Sequence, residues 1–167
     1  VARWYHPLTP VCYLMFAAAG GLLAVLAMLA LQGLPITAAL AQAGIVLMLS
    51  AWGVKFAWWR LAGMARHAGS VETATGLGHL GTVKPLMPPH TEENYLQHEM
   101  GFVVARKHAD KLRIFALGFG GVLPIIVLLV APASAAALGF ALLSHVAGMF
   151  VERWLFFAEA KHVVTLY

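Results

Sequence analysis

Residues 11 to 31 decide the fold class, because they read VCYLMFAAAGGLLAVLAMLAL without one charged side chain. An α-helix needs roughly 20 residues to cross a hydrocarbon core of ~30 Å. Three more apolar stretches are about as long, and we predict membrane spans at 11–31, 36–59, 112–131 and 133–157. The sequence therefore predicts an all-α membrane protein with four transmembrane helices in a bundle.

The composition favours the same fold class. Hydrophobic residues make up 61% of the chain and charged residues only 11%, whereas a soluble domain carries about 25% charged residues. We predict one transmembrane domain over residues 1–167, with one long polar loop (60–111) between the second and third spans. The chain starts at Val1 rather than Met, and no signal-peptide pattern precedes the first span, which predicts processing or truncation at this end.

The positive charges indicate an orientation. The net charge is +4, and in the predicted topology all eleven Lys and Arg lie at one end of the bundle. They cluster between apolar segments, which is typical of a membrane orientation signal rather than of a nucleic-acid-binding surface. The positive-inside rule places the loop and both termini in the cytoplasm. Docking of a partner on the loop is an alternative reason for the basic residues.

Lys55 lies inside a predicted span, about one helical turn from Trp52, Trp58 and Trp59. One interpretation is a contact with an anionic lipid or a quinone. The other is an ordinary lysine whose apolar stem lies in an aromatic belt while its ammonium group reaches water.

The loop contains a glycine-rich string, GLGHLG at residues 76–81. A dinucleotide-binding site needs a strand before such glycines and a helix after them. Here a membrane span precedes the string and several prolines follow it, so we predict a plain loop.

A helix is predicted from Thr91 to about Asp110, because Thr91 is a good N-cap and two glutamates follow it. Its apolar stripe is accompanied by polar side chains that could dock a soluble partner; these are His98, Glu99, Arg106 and Lys107. An interfacial linker helix without a partner explains the pattern equally well.

The metal-binding residue types show no site. The eight His lack a metal-ligand spacing, only His145 lies deep in a predicted span, and Cys12 is the one cysteine. A membrane b-type haem needs two facing histidines. We therefore predict no catalytic residue, no metal site and no cofactor held by this chain alone.

The fourth predicted span carries ionisable residues on one face, since His145, Glu152 and Glu159 follow at intervals of seven. Such groups inside a span are costly and usually face the bundle interior or a functional path. One hypothesis is a proton relay toward the basic end. The alternative is that His145 hydrogen-bonds a neighbouring helix while both glutamates pair with nearby cations.

Several segments resemble the DmsC family, the membrane-anchor subunits of molybdoenzymes of the dimethyl sulfoxide reductase type. They are GTVKPLMPPHT (81–91), EMGF (99–102), ARKHA (105–109), KLR (111–113), VERWLFFAEA (151–160) and YHPLTP (5–10). Members of the family are about twice as long, with eight transmembrane helices, and this chain resembles their C-terminal half. The family's quinol-site residues lie in the other half, so we assign no quinone ligand here.

The resemblance implies a bacterial inner-membrane complex of three subunits. A molybdopterin subunit reduces the terminal acceptor, an iron–sulfur subunit carries electrons, and the anchor holds both while menaquinol or ubiquinol is oxidised in anaerobic respiration. The chain would then be a non-catalytic subunit of an oxidoreductase. The alternative is a small ion or solute transporter or channel, in which Pro124, His145 and Glu152 mark a broken helix and an ion path. A scaffold without quinone contact is a third interpretation.

Overall fold

The computed structural model describes residues 4–63, 70–84, 86–87 and 103–160, and all regular structure in these ranges is helical. Four helices are long and apolar enough to cross a membrane: Leu8–Leu31, Ala38–Ala62, Ala109–Val130 and Ala135–Ala158. We call them the first to fourth spans. The chain is thus a multi-pass membrane protein of the predicted fold class. The helix ends differ from the predicted span ends by a few residues, because a helix can begin or end outside the hydrocarbon core that it crosses.

Two tight turns join the spans at the end of the bundle that has no basic residues. The first span closes in a Schellman motif, in which Leu34 N donates to Leu29 O at 2.9 Å and Gly33 N donates to Ala30 O at 3.1 Å. Gly33 has φ +66°, a left-handed conformation that suits glycine. The fourth span starts at Ser134, whose hydroxyl accepts from Ala137 N at 3.3 Å.

The spans pack in a ring. The first contacts the second and the fourth, and the third contacts the same two. The second and fourth spans therefore lie diagonally opposite each other. The core between the four helices is apolar and includes Leu23, Leu26, Met48, Leu128 and Leu138.

The third span contains a π-helical turn at Gly118–Val122, immediately before Pro124. Leu123 N donates to Gly118 O, five residues back, which is the π pattern. Pro124 has no N–H, so it donates neither to Phe119 O, five residues back, nor to Gly120 O, four residues back. The helix nevertheless continues to Val130, so Pro124 does not break it.

Side chains of the fourth span bind the two carbonyls that Pro124 leaves without a donor. Ser144 Oγ donates to Phe119 O at 2.7 Å, and His145 Nδ1 lies 2.6 Å from Gly120 O. The backbones touch beside these bonds, because a Cβ at Gly148 would collide with the backbone of Gly120 and lie 3.0 Å from Ala116 O. The third and fourth spans are therefore joined at the π turn by both hydrogen bonds and close contact.

The long connection between the second and third spans is described in part. It has short helices at Val71–Thr75 and Val103–Lys107. The glycine-rich string at 76–81 follows the first of these, which is a helix and not a strand, and runs through a turn. Of the helix predicted from Thr91, residues 91–102 lie outside the described residues.

Candidate functional site

A cluster of ionised side chains lies inside the bundle near its basic end. Lys55 of the second span and Glu152 of the fourth are each 1% exposed and form an ion pair across the diagonal of the ring. Arg153 forms a second ion pair with the same carboxylate. Since removing one partner of a buried pair leaves an uncompensated charge, the Lys55–Glu152 pair ties the second and fourth spans together.

Aromatic rings surround the cations. Lys55 Nζ lies 3.9 Å from the ring centroid of Trp58, and the guanidinium carbon of Arg153 lies 3.9 Å from that of Tyr13. Phe156 lies within 6 Å of both cations. Ring faces attract cations, and the attraction is stronger where water is excluded. The rings therefore replace part of the hydration that the two cations lose.

Both interpretations of Lys55 from the sequence are wrong. Its ammonium group faces neither lipid headgroups nor water, since the side chain is buried and paired with Glu152. The depth of Lys55 and Glu152 within their spans could have indicated this ion pair from the sequence. The second and fourth spans both run toward the basic end, and Lys55 and Glu152 stand eight and six residues before the helix ends at Gly63 and Ala158.

Trp58 fixes the second span against the start of the first. Its Nε1 donates to Thr9 Oγ1 at 2.9 Å, and its ring lies 5.3 Å from that of Phe156. Trp52, two turns deeper, packs on Gly121 of the π turn. Trp52 Nε1 is buried and has no hydrogen-bond partner among the described residues.

Glu159, at the end of the fourth span, pairs with Arg113 of the third. Its Oε1 accepts from Arg113 Nε at 2.9 Å and lies 2.6 Å from Nη2. Arg113 also bonds Asp110 Oδ1 at 2.9 Å. This network joins the third and fourth spans at the basic end.

The three residues of the predicted relay thus have three different sets of partners. His145 binds the π turn, Glu152 binds Lys55 and Arg153, and Glu159 binds Arg113. Because a carbonyl only accepts, His145 Nδ1 carries the hydrogen, and Nε2 faces Gly20 of the first span. The carboxylates of Glu152 and Glu159 are on residues about 10 Å apart along the helix axis. Protons would need water between these groups, and the relay stays a prediction.

The predicted docking residues are divided in the same way. Arg106 donates from Nε to Ala158 O at 3.0 Å and from Nη2 to Ala160 O at 3.1 Å, so it covers carbonyls at the end of the fourth span. Lys107 is exposed. His98 and Glu99 lie outside the described residues. Of the two predicted docking residues that the structure describes, Lys107 is the exposed one.

A groove lies on the bundle surface beside the ion pairs. Its volume is about 190 Å³, and its walls are Tyr13, Phe16, Ala17, Met149 and Arg153. Within the ranges that the structure covers, no group of three or more His, Cys, Asp or Glu is placed to hold a metal ion. The described geometry thus offers buried ion pairs and an amphipathic groove.

Comparison with known proteins gives one named relative. The chain is 29% identical, over 99% of its length, to a sulfite dehydrogenase subunit of Allochromatium vinosum. The aligned region is 51% of that protein, so the chain spans about half the length of the curated relative it matches. No family model and no solved structure matches the chain. The chain is therefore similar to about half of a sulfite dehydrogenase subunit, and the resemblance to the DmsC family remains an expectation.

Proposed function

We propose that this chain is the membrane subunit of a quinone-linked molybdopterin oxidoreductase complex, and that it holds an iron–sulfur subunit and a catalytic subunit at the membrane. The observation that carries the proposal is the similarity to a sulfite dehydrogenase subunit over nearly the whole chain. The segments that resemble the DmsC family support the same role.

The structure is compatible with a supporting rather than a catalytic role. The buried ion pair of Lys55 and Glu152 connects the second span with the fourth. His145, Glu152 and Glu159 each have a partner on a neighbouring span. Chemistry on the terminal substrate would then occur in partner subunits, with molybdopterin and iron–sulfur clusters as their cofactors.

Purification from the native membrane in a mild detergent tests the proposal. We expect a molybdopterin protein and an iron–sulfur protein to elute with the chain, identified by mass spectrometry and by molybdenum and iron in stoichiometric amounts. A chain that elutes without either partner or metal, and that conducts ions or solutes alone in liposomes, would instead establish the transporter alternative.

A charge reversal locates the docking end. Lys107→Glu changes an exposed residue at the basic end, and Gln32→Glu adds a negative charge to the exposed turn at the other end. We expect Lys107→Glu to lower the amount of co-purified iron–sulfur subunit several-fold, because interface charges steer and orient partners. The control Gln32→Glu should leave it unchanged. Equal recovery in both variants would place the docking surface elsewhere.

The direction of electron flow is a separate measurement. The resemblance to the DmsC family predicts oxidation of quinol, whereas the name of the relative describes oxidation of sulfite, which releases two electrons to an acceptor. Membranes that contain the complex are given either sulfite with oxidised quinone or quinol with a reducible oxide, and the quinone redox state is followed. Quinol consumption supports the reductase direction, and sulfite-dependent quinol formation supports the dehydrogenase direction.

A further inference from the structure

The glycine-rich string of the long connection folds against the short helix that precedes it, and we call this segment, residues 70–84, the loop motif. A capping box starts the helix, because Ser70 Oγ accepts from Thr73 N at 3.3 Å and Thr73 Oγ1 accepts from Ser70 N at 2.8 Å. Gly76 ends the helix with φ +68°, a left-handed conformation that suits glycine. Groups within the motif itself therefore fix both ends of its helix.

Two further glycines shape the turn that follows this helix. A Cβ at Gly78 would lie 2.9 Å from Glu72 Cβ, so the turn packs directly on the helix. Gly81 has φ +144°, a conformation that residues with a side chain rarely adopt. A hydrogen bond from Leu80 N to Leu77 O at 2.9 Å closes the turn. The glycines therefore give the string one compact conformation rather than serving as a flexible linker.

The loop motif exposes two leucines side by side. Leu77 is 46% exposed and Leu80 is 75% exposed. They are the first and last residues of one hydrogen-bonded turn, so their Cα atoms lie within about 7 Å of each other. Between them, His79 turns back and places Nδ1 2.9 Å from Gly76 O. Apart from Ala74, the other exposed side chains of the motif are polar, and apolar residues with polar neighbours are typical of a protein-docking surface.

The composition of the loop motif favours a protein rather than the membrane surface as the cover of these leucines. A segment that binds the membrane surface uses a long apolar helix face or a cluster of Lys and Arg, and interfacial anchors are typically Trp or Tyr. The motif has five helical residues and no Trp, Tyr or Phe. Its charged residues are Glu72 and Lys84, whose charges cancel. A protein with a small apolar recess matches two adjacent leucines on a neutral, polar segment.

We propose that Leu77 and Leu80 insert together into an apolar recess on the soluble iron–sulfur subunit of the complex. The inference rests on the proposed function, which supplies this partner. A subunit that carries electrons between a membrane quinone and a catalytic subunit must contact the membrane subunit, and the loop motif is an extramembrane surface with apolar anchors for that contact. The fixed turn presents both leucines in one arrangement, so little conformational freedom is lost on docking.

Purification of the complex with substituted full-length chains tests the two leucines. Leu77→Ser and Leu80→Ser should each weaken docking by about tenfold, because each removes one leucine that is buried in the interface. Several-fold less iron–sulfur subunit, measured as iron per chain, should therefore co-purify. Leu34→Ser is the matched control, since Leu34 is 47% exposed in the turn at the other end of the bundle, and it should leave recovery unchanged.

A glycine variant tests the arrangement of the leucines without removing either one. Gly78→Ala places a Cβ against Glu72 and forces the turn away from the helix, so it should also lower recovery of the subunit. Gly139→Ala, at a position where a Cβ has nothing within 4 Å, is the control and should recover the subunit as the wild type does.

A fluorescent reporter distinguishes a protein partner from the membrane surface. Thr82→Cys in a Cys12→Ala background carries an environment-sensitive dye beside the turn. Its emission should shift to the blue in the complex and not in the purified chain in nanodiscs of anionic lipid. A blue shift in the chain alone, or wild-type recovery in both leucine variants, would overturn the inference. Absence of the subunit from the wild-type preparation would refute the proposed function, and the inference with it.

Discussion

At the residue scale, Glu152 has the largest role in the ion-pair cluster. Its one carboxylate forms ion pairs with two cations inside the bundle. In the described part of the chain, Lys55 has no other carboxylate partner, so Lys55 depends on Glu152, whereas Glu152 also pairs with Arg153. The pairing explains how ionised groups persist within spans that are otherwise apolar.

Glu152→Gln should destabilise the protein by about 3–5 kcal/mol, because it leaves a buried lysine without its counter-charge. Lys55→Met should cost less, because Glu152 keeps Arg153 as its counter-charge. The double variant should cost clearly less than the sum of the two, since the lost interaction is shared. Thermal or denaturant unfolding in detergent measures the three values. Additive effects would mean that the two residues are not coupled.

The same two variants test the proton-relay hypothesis. Glu152→Gln removes the carboxyl group that would carry a proton, whereas Lys55→Met breaks the ion pair and keeps that group. If Glu152 relays protons, quinone-linked turnover per folded complex should fall by about tenfold or more in Glu152→Gln alone, as for loss of a general acid–base group. Equal turnover in both variants would leave Glu152 with a structural role only.

Two tryptophans of the second span provide a matched pair. Trp58→Phe loses the hydrogen bond to Thr9, whereas Trp52→Phe loses an indole N–H that has no partner in the described ranges. Both variants lose similar ring area, so Trp58→Phe should cost about 1 kcal/mol more in unfolding free energy. The opposite order would mean that packing of Trp52 on the π turn outweighs the hydrogen bond of Trp58.

At the element scale, the third span shows how a proline can stay inside a membrane helix. The π turn shifts the hydrogen-bond register before Pro124, and Ser144 and His145 bind the freed carbonyls. The hydrocarbon core contains no water that could donate a hydrogen bond to such carbonyls, so a neighbouring helix must supply the donor. The sequence suggested Pro124 and His145 as parts of an ion path. In the structure both contribute to one contact between helices, because Pro124 cannot donate to Gly120 O and His145 does.

Two glycines of the fourth span allow the effect of close helix contact to be measured apart from the effect of helix propensity. A Cβ at Gly148 would collide with the backbone of Gly120, whereas a Cβ at Gly139 would have nothing within 4 Å. Gly148→Ala should therefore cost about 1–3 kcal/mol through overpacking. Gly139→Ala should be neutral or slightly stabilising, because alanine favours a helix. Comparable unfolding temperatures for the two variants would contradict the close contact at the π turn.

At the scale of the whole molecule, the charges determine a testable orientation. In a Cys12→Ala background, Thr82→Cys places a thiol in the long connection and Ala133→Cys places one in the turn between the third and fourth spans; both positions are exposed. By the positive-inside rule, a membrane-impermeant maleimide should label Thr82→Cys from the cytoplasmic side and Ala133→Cys from the opposite side. The reverse pattern would show that partner docking, rather than membrane insertion, accounts for the basic residues.

The amino-acid sequence by itself determined the fold class, because long apolar runs have no other stable arrangement than helices in a bilayer. The uncharged turns and the one-sided Lys and Arg likewise follow from local composition. The long-range partners of the polar groups were decided by the tertiary structure alone. Lys55 and Glu152 are 97 positions apart, and His145 meets a carbonyl that only the π turn exposes. Such pairs form only when particular helices lie side by side or diagonally opposite in the bundle. Helix packing determines this arrangement, and the periodicity of a single helix does not.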